Sequence, residues 1–224
     1  MSERVDVYVE RGAKRVFACA LEWPGWCRSG RDEETALAAL LESAPRYAKV
    51  AAKLGFVAPR ALPDLRVVQR VAGDATTDFG APGAVPKADH APVDEHELEW
   101  LATLIEEGWR VFDAGVHSAK GRTLRAGPRG GGRSLDKIVD HVREAEAGYL
   151  SALGWRFKPD AKASRDALLK ATRAAVREGL AASTRGEIPA KGPRGGVRWR
   201  PRFFVRRLAW HTLDHLWEIE DRLS

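Results

Sequence analysis

The chain has 224 residues, 44% of them hydrophobic and 30% charged, with a formal net charge of +6. That composition suits a globular protein and allows one large domain or two small ones. It excludes a membrane-spanning helix, because no apolar run is long enough.

The first segment, "RVDVYVE", alternates, with Val5, Val7 and Val9 on one face and Asp6, Tyr8 and Glu10 on the other. It reads as a half-buried strand. "RGAK" turns the chain, and "RVFACALE" is the expected partner strand. "WPGWCRSG" then reads as a Pro-Gly turn. "RDEETALAALLESAPRYAKVAAKLG" is helical, with Asp32 as N-cap, Gly55 as C-cap and a break at Pro45. "LRVVQRV", 65–71, is the third expected strand. The order β-β-α-β predicts a small α+β domain over residues 1–72. Its two cysteines, Cys19 and Cys27, are too few for a disulfide framework and are expected as reduced, buried, small side chains. With a charged N-terminus that lacks a secretory apolar core, this points to the cytoplasm.

Residues 73–93 are rich in Gly, Pro and Ala without periodicity, which predicts a linker or an ordered crossing segment. The rest is helical. Asp94, Ser134 and Ser164 are placed as N-caps, and Pro201 sits where a first helical turn tolerates proline. Four helices of about twenty residues predict an all-α four-helix bundle over 94–224.

Two basic loops interrupt that bundle. Residues 120–133 hold five Lys/Arg and no acid, and residues 185–207 hold eight with one acid, Glu187. Such stretches attract anions, with a small anionic molecule preferred over nucleic acid because no nucleic-acid motif accompanies them. "GPRGGGR" at 127–133 and "GPRGGVR" at 192–198 each precede a histidine-bearing helix. If those two helices run parallel, Arg129, Arg133, Arg194 and Arg198 surround one mouth and supply forked donors to a carboxylate or phosphate. The alternative is two glycine-rich turns alike by chance.

The chain holds six histidines. His90, His96 and His117 fall in the linker, a first turn and a helix end, and read as solvent or cap residues. His211 and His215, in "AWHTLDH", are i and i+4 and leave one face of the last helix. His141, in "IVDHVREAE", lies on a face apolar enough to point inward. Three neutral imidazoles with a free position are the ligand set of a catalytic metal site for zinc, nickel or iron. The alternative is satisfied core or pocket histidines without a metal. Glu144, Asp214 and Glu218 are placed to orient the ligands, or are exposed helix charges. Most of Trp109, Tyr149, Trp155, Trp199, Trp210 and Trp217 are expected in the core, with one or two lining a pocket.

Two resemblances follow from these stretches. "FACALEWPGWCRSGRDEETALAALLESA" resembles the HicB-type fold over about residues 4–72, with little implication for function. A histidine early in one bundle helix followed far downstream by H-x-x-x-H, in "KIVDHVREAEAGYLSALG" and "RRLAWHTLDHLWEIEDRL", resembles the DinB/YfiT-like superfamily over about residues 94–224. That resemblance implies a divalent metal on His141, His211 and His215. It also implies metal-dependent chemistry such as transfer of a low-molecular-weight thiol, isomerisation or hydrolysis. No G-x-S-x-G, H-E-x-x-H or P-loop supplies another catalytic centre. The competing expectations are a regulatory protein whose N-terminal domain contacts a partner or nucleic acid, and a metal-free bundle that serves to form a homodimer.

Overall fold

The computed structural model describes residues 4–126, 132–160 and 162–223. Four strands form a single mixed sheet: β1 (Val5–Arg11), β2 (Val16–Ala20), β3 (Cys27–Gly30) and β4 (Leu65–Ala72), in the order β3-β2-β1-β4. β1 pairs antiparallel with β2 and parallel with β4, and β2 pairs antiparallel with β3. Seven α-helices lie among the described residues: α1 (Glu33–Glu42), α2 (Ala44–Ala51), α3 (Ala75–Phe79), α4 (Glu95–Ala119), α5 (Leu135–Leu153), α6 (Arg165–Thr184) and α7 (Pro201–Leu223). None of them is long and apolar enough to cross a membrane.

This corrects the expected fold class at three points. The sheet has a fourth strand, β3, inside the stretch read as a turn. Four residues are too few to show alternation, and the strand is specified by pairing, with Cys19 opposite Cys27 and Phe17 opposite Ser29. Those cysteines are joined in a disulfide rather than held as separate reduced thiols. The break expected at Pro45 is present: the stretch forms two helices, α1 and α2, meeting at Ser43. Pro45 falls in the first turn of α2, where its missing N–H costs nothing.

The third correction concerns the bundle. The chain divides into two compact units, residues 1–91 with 205–210, and residues 92–204 with 211–224. A six-residue stretch of α7 therefore belongs to the sheet unit, and α4 to α7 are not a self-contained four-helix bundle. The reason is chemical. Arg206 is 4% exposed, grips the fully buried Asp89 through Nε and Nη2 at 2.9 and 2.8 Å, and donates to the carbonyls of Ala20 and Leu21. Arg207 donates to Pro82 O, and Trp210 packs edge-on against Phe17.

Residues 73–91 are ordered in the sheet unit, and Glu10 is what orders them. Its buried carboxylate accepts hydrogen bonds from the Thr77 hydroxyl and from the backbone N–H groups of Gly83 and Ala84. A buried carboxylate needs such donors to offset lost hydration. The "WPGW" turn is likewise held by its aromatics. Trp26 is fully buried, donates to Ser43 Oγ and Leu40 O, and stacks on Tyr47, whose hydroxyl donates to Pro24 O.

Gly25 in that turn has a φ of +93°, and a Cβ there would lie 2.8 Å from Ala209 Cβ. Both the conformation and the space demand glycine. Gly25→Ala is expected to destabilise the protein by about 1–3 kcal/mol. Urea unfolding measures it, and an unchanged midpoint would contradict the close packing of the turn on this segment.

Within the second unit the expected caps are in place. The side chains of Asp94, Ser134 and Ser164 accept from the backbone N–H groups of Glu97, Lys137 and Ala167. α5 ends at Gly154, left-handed at φ +96°, with Gly154 N–H bonded to Ser151 O and Trp155 N–H to Leu150 O. That double bond pattern closes the helix and fixes Trp155 just beyond it.

Candidate metal centre

His141 lies two turns into α5, while His211 and His215 lie one turn apart at and just past the middle of α7. The i, i+4 spacing puts the latter pair on one face, with ring centroids 4.5 Å apart. His141 completes the group: its ring lies 5.0 Å from that of His211 and 4.8 Å from that of His215. One ligand nitrogen from each of the three falls within 4.8 Å of the others. His211 and His215 are buried, each 8% exposed, and His141 is half-buried. Burial comes first among the causes that hold the His141 imidazole below the ordinary histidine range, ahead of His215 and Arg133. The ring is therefore neutral and offers a lone pair at neutral pH.

The donor set fits a cation. His141 Nε2 and His211 Nε2 face each other at 3.2 Å. Two imidazole nitrogens on neighbouring positions of a tetrahedral zinc ion stand about 3.3 Å apart, given bonds near 2.05 Å. His215 Nδ1 is 2.8 Å from Glu218 Oε2, and Arg222 Nη1 donates to Glu218 Oε1 at 2.8 Å. The hydrogen bond from His215, with Arg222 behind it, holds the Glu218 carboxyl below the usual range. An ionised carboxylate only accepts, so Nδ1 carries the proton of that bond and Nε2 is the nitrogen that can turn to a cation. That carboxylate–imidazole arrangement is how ligating histidines are oriented in metal proteins.

The other two carboxylates suggested by the sequence are placed differently. Glu144 is 66% exposed and pairs with Arg143. Asp214 is half-buried on α7 between the two histidines in sequence. Of the aromatics expected in the core or lining a pocket, Tyr149 reaches the site: its ring stands nearly perpendicular to that of His211, with centroids 5.8 Å apart. Its eight-residue offset from His141, a little over two helical turns, was the available signal.

The two basic loops do not share a mouth. Trp199 N–H bonds to Ala152 O, and Arg198 lies against Gly154, so the start of α7 sits at the end of α5. Conversely, Gly132 lies against Arg222 near the end of α7. α5 and α7 thus run antiparallel, and the parallel arrangement that would unite the loops is excluded. Arg133 stays near the histidines, where its charge acts on His141. Arg194 and Arg198 belong to the opposite end, about 20 Å along α5. Arg129 lies outside the described residues. The first loop also has structural work. Arg122 and Arg125 donate to the carbonyls of Leu223 and Asp221, capping the end of α7 where cations are favoured.

Comparison with protein-family models, with curated proteins and with solved structures finds no match to this chain.

Proposed function

We propose that the protein is a divalent-metal-dependent enzyme whose centre is held by His141, His211 and His215 and acts on a small anionic substrate or a low-molecular-weight thiol. The observation that carries this reading is the convergence of three imidazole nitrogens within 4.8 Å, with Glu218 fixing the tautomer of one. When bound, a divalent ion supplies Lewis acidity and an open position for a thiol or water. The chain's own groups do the rest. Glu218 keeps the proton on His215 Nδ1, and Arg222 balances the carboxylate charge. Arg133 is a further cation on the histidine side and favours approach of an anion. The Tyr149 ring stands nearly perpendicular to that of His211 and flanks the centre on that side. The sequence resemblance to the DinB/YfiT-like superfamily supports the same ligand set.

Elemental analysis of the untagged protein is expected to find close to one equivalent of zinc, nickel or iron. His211→Ala/His215→Ala should lose it, and Glu218→Gln should bind it about 10–100-fold more weakly. A metal-free protein that takes up none on reconstitution would sink the proposal and leave the histidines as a hydrogen-bonded core cluster.

A further inference from the structure

A cavity of about 410 Å³ opens between the end of α5 and the loop that precedes α7, well away from the histidines. Its lining includes Gly154, Trp155, Arg156, Phe157, Lys158 and Arg198. No acidic residue lines it. The volume lies within the range of small-ligand sites.

The walls are held by backbone bonds. Trp155 is fixed by its N–H bond to Leu150 O and packs over Gly179 of α6, where a Cβ would fall 2.9 Å from Trp155 Cγ. The opposite wall is a small hairpin in which Lys191 pairs with Val197, Gly192 N–H bonds to Gly196 O and Arg198 N–H bonds to Ala190 O. Arg198 Nη1 donates to Pro189 O, which pins its arm across Gly154. Among the described residues Arg156 and Lys158 have no ion-pair partner, and Glu187 lines the adjoining cavity that shares Arg156 and is itself paired with Arg185. The end of α5 would ordinarily repel an anion. Here the carbonyls of Leu150, Ser151 and Ala152 already accept from Gly154, Trp155 and Trp199, and three cations outweigh the helix pole.

Aromatic rings beside cations without ion-pair partners suit a ligand with both a planar ring and a negative group. Three formal positive charges without an acid match a phosphate dianion, which Arg also grips through its fork. We propose that this cavity is a binding site for an aromatic phosphate of the size of a nucleoside monophosphate. The assignment is independent of the metal centre and gives the second glycine–arginine loop a role that the histidines do not.

Calorimetric titration of the full-length protein with adenosine 5′-monophosphate tests it, beside adenosine, inorganic phosphate and a single-stranded oligonucleotide. The monophosphate should bind at least about tenfold more tightly than adenosine or phosphate alone. Arg156→Glu/Lys158→Glu, two exposed changes, should weaken it by about tenfold per cation. Phe157→Ala should cost about fivefold or more. His211→Ala/His215→Ala should bind it as the native protein does. The assignment fails if the monophosphate binds no better than phosphate, or binds the charge-reversed variant as tightly. It also fails if binding disappears with the histidines, or if only the oligonucleotide binds.

Discussion

Asp89→Ala is expected to lower the unfolding free energy by about 3–5 kcal/mol, the largest single loss predicted for this chain. The substitution removes few contacts, so the size of the effect comes from what it leaves behind. Arg206 would keep a guanidinium in a site that is 4% exposed, and would lose both bonds to the carboxylate. The carbonyls of Ala20 and Leu21 would still accept, but they carry no compensating charge. A buried cation without its anion costs far more than the pair contributes. Asp89→Leu/Arg206→Met, which removes both charges, should therefore recover most of the loss. Urea unfolding of the single and double variants checks this. A double variant no more stable than Asp89→Ala would mean that the geometry of the pair, rather than its charge balance, maintains this part of the sheet unit.

The second large effect is a pH dependence centred on Glu146. This residue is 1% exposed on α5; its Oε1 accepts from Trp109 Nε1 at 2.7 Å, and its buried Oε2 has no hydrogen-bond partner. Arg143 on its own helix, Trp109 and Asp113 on α4, and Arg173 on α6 surround it electrostatically. Burial dominates and pushes its carboxyl up to about 7, against the Trp109 hydrogen bond and the Arg173 charge. The unfolded carboxyl titrates at 4.5. Between those values the native state binds one proton more than the unfolded chain. Stability from this group is therefore full below pH 4.5 and is lost as pH rises towards 7. The total is about 3 kcal/mol. Glu146→Gln keeps an acceptor for Trp109 and cannot ionise. Relative to the native protein it should gain about 3 kcal/mol at pH 8 and little at pH 4.5. Denaturation curves for the two proteins at both pH values decide it. A difference that does not change with pH would place the proton elsewhere.

The helix ends and the histidine pair were legible because both depend on residues close in sequence. Asp94, Ser134, Ser164 and Gly154 act on N–H and C=O groups within their own turns. His211 and His215 share a face because four residues nearly complete one helical turn. β3 was not legible, being four residues long and defined by its partner strand. The disulfide was missed for the same reason: an eight-residue separation says nothing until β2 and β3 place Cys19 opposite Cys27. The burial of Glu146 was not legible either, because burial depends on which neighbours close over a face.

The sequence by itself therefore determined where α4, α5, α6 and α7 begin and which side chains, His211 and His215 among them, share a face. Each of these follows from bonds and spacings within one turn. Only the tertiary structure decided that α5 and α7 run antiparallel, bringing His141 to the α7 histidines while sending the two arginine loops to opposite ends. Only it buried Arg206 against Asp89 and so drew part of α7 into the sheet unit. Helix direction and partner choice come from packing between residues far apart in the chain, and periodicity within one helix is the same for either direction.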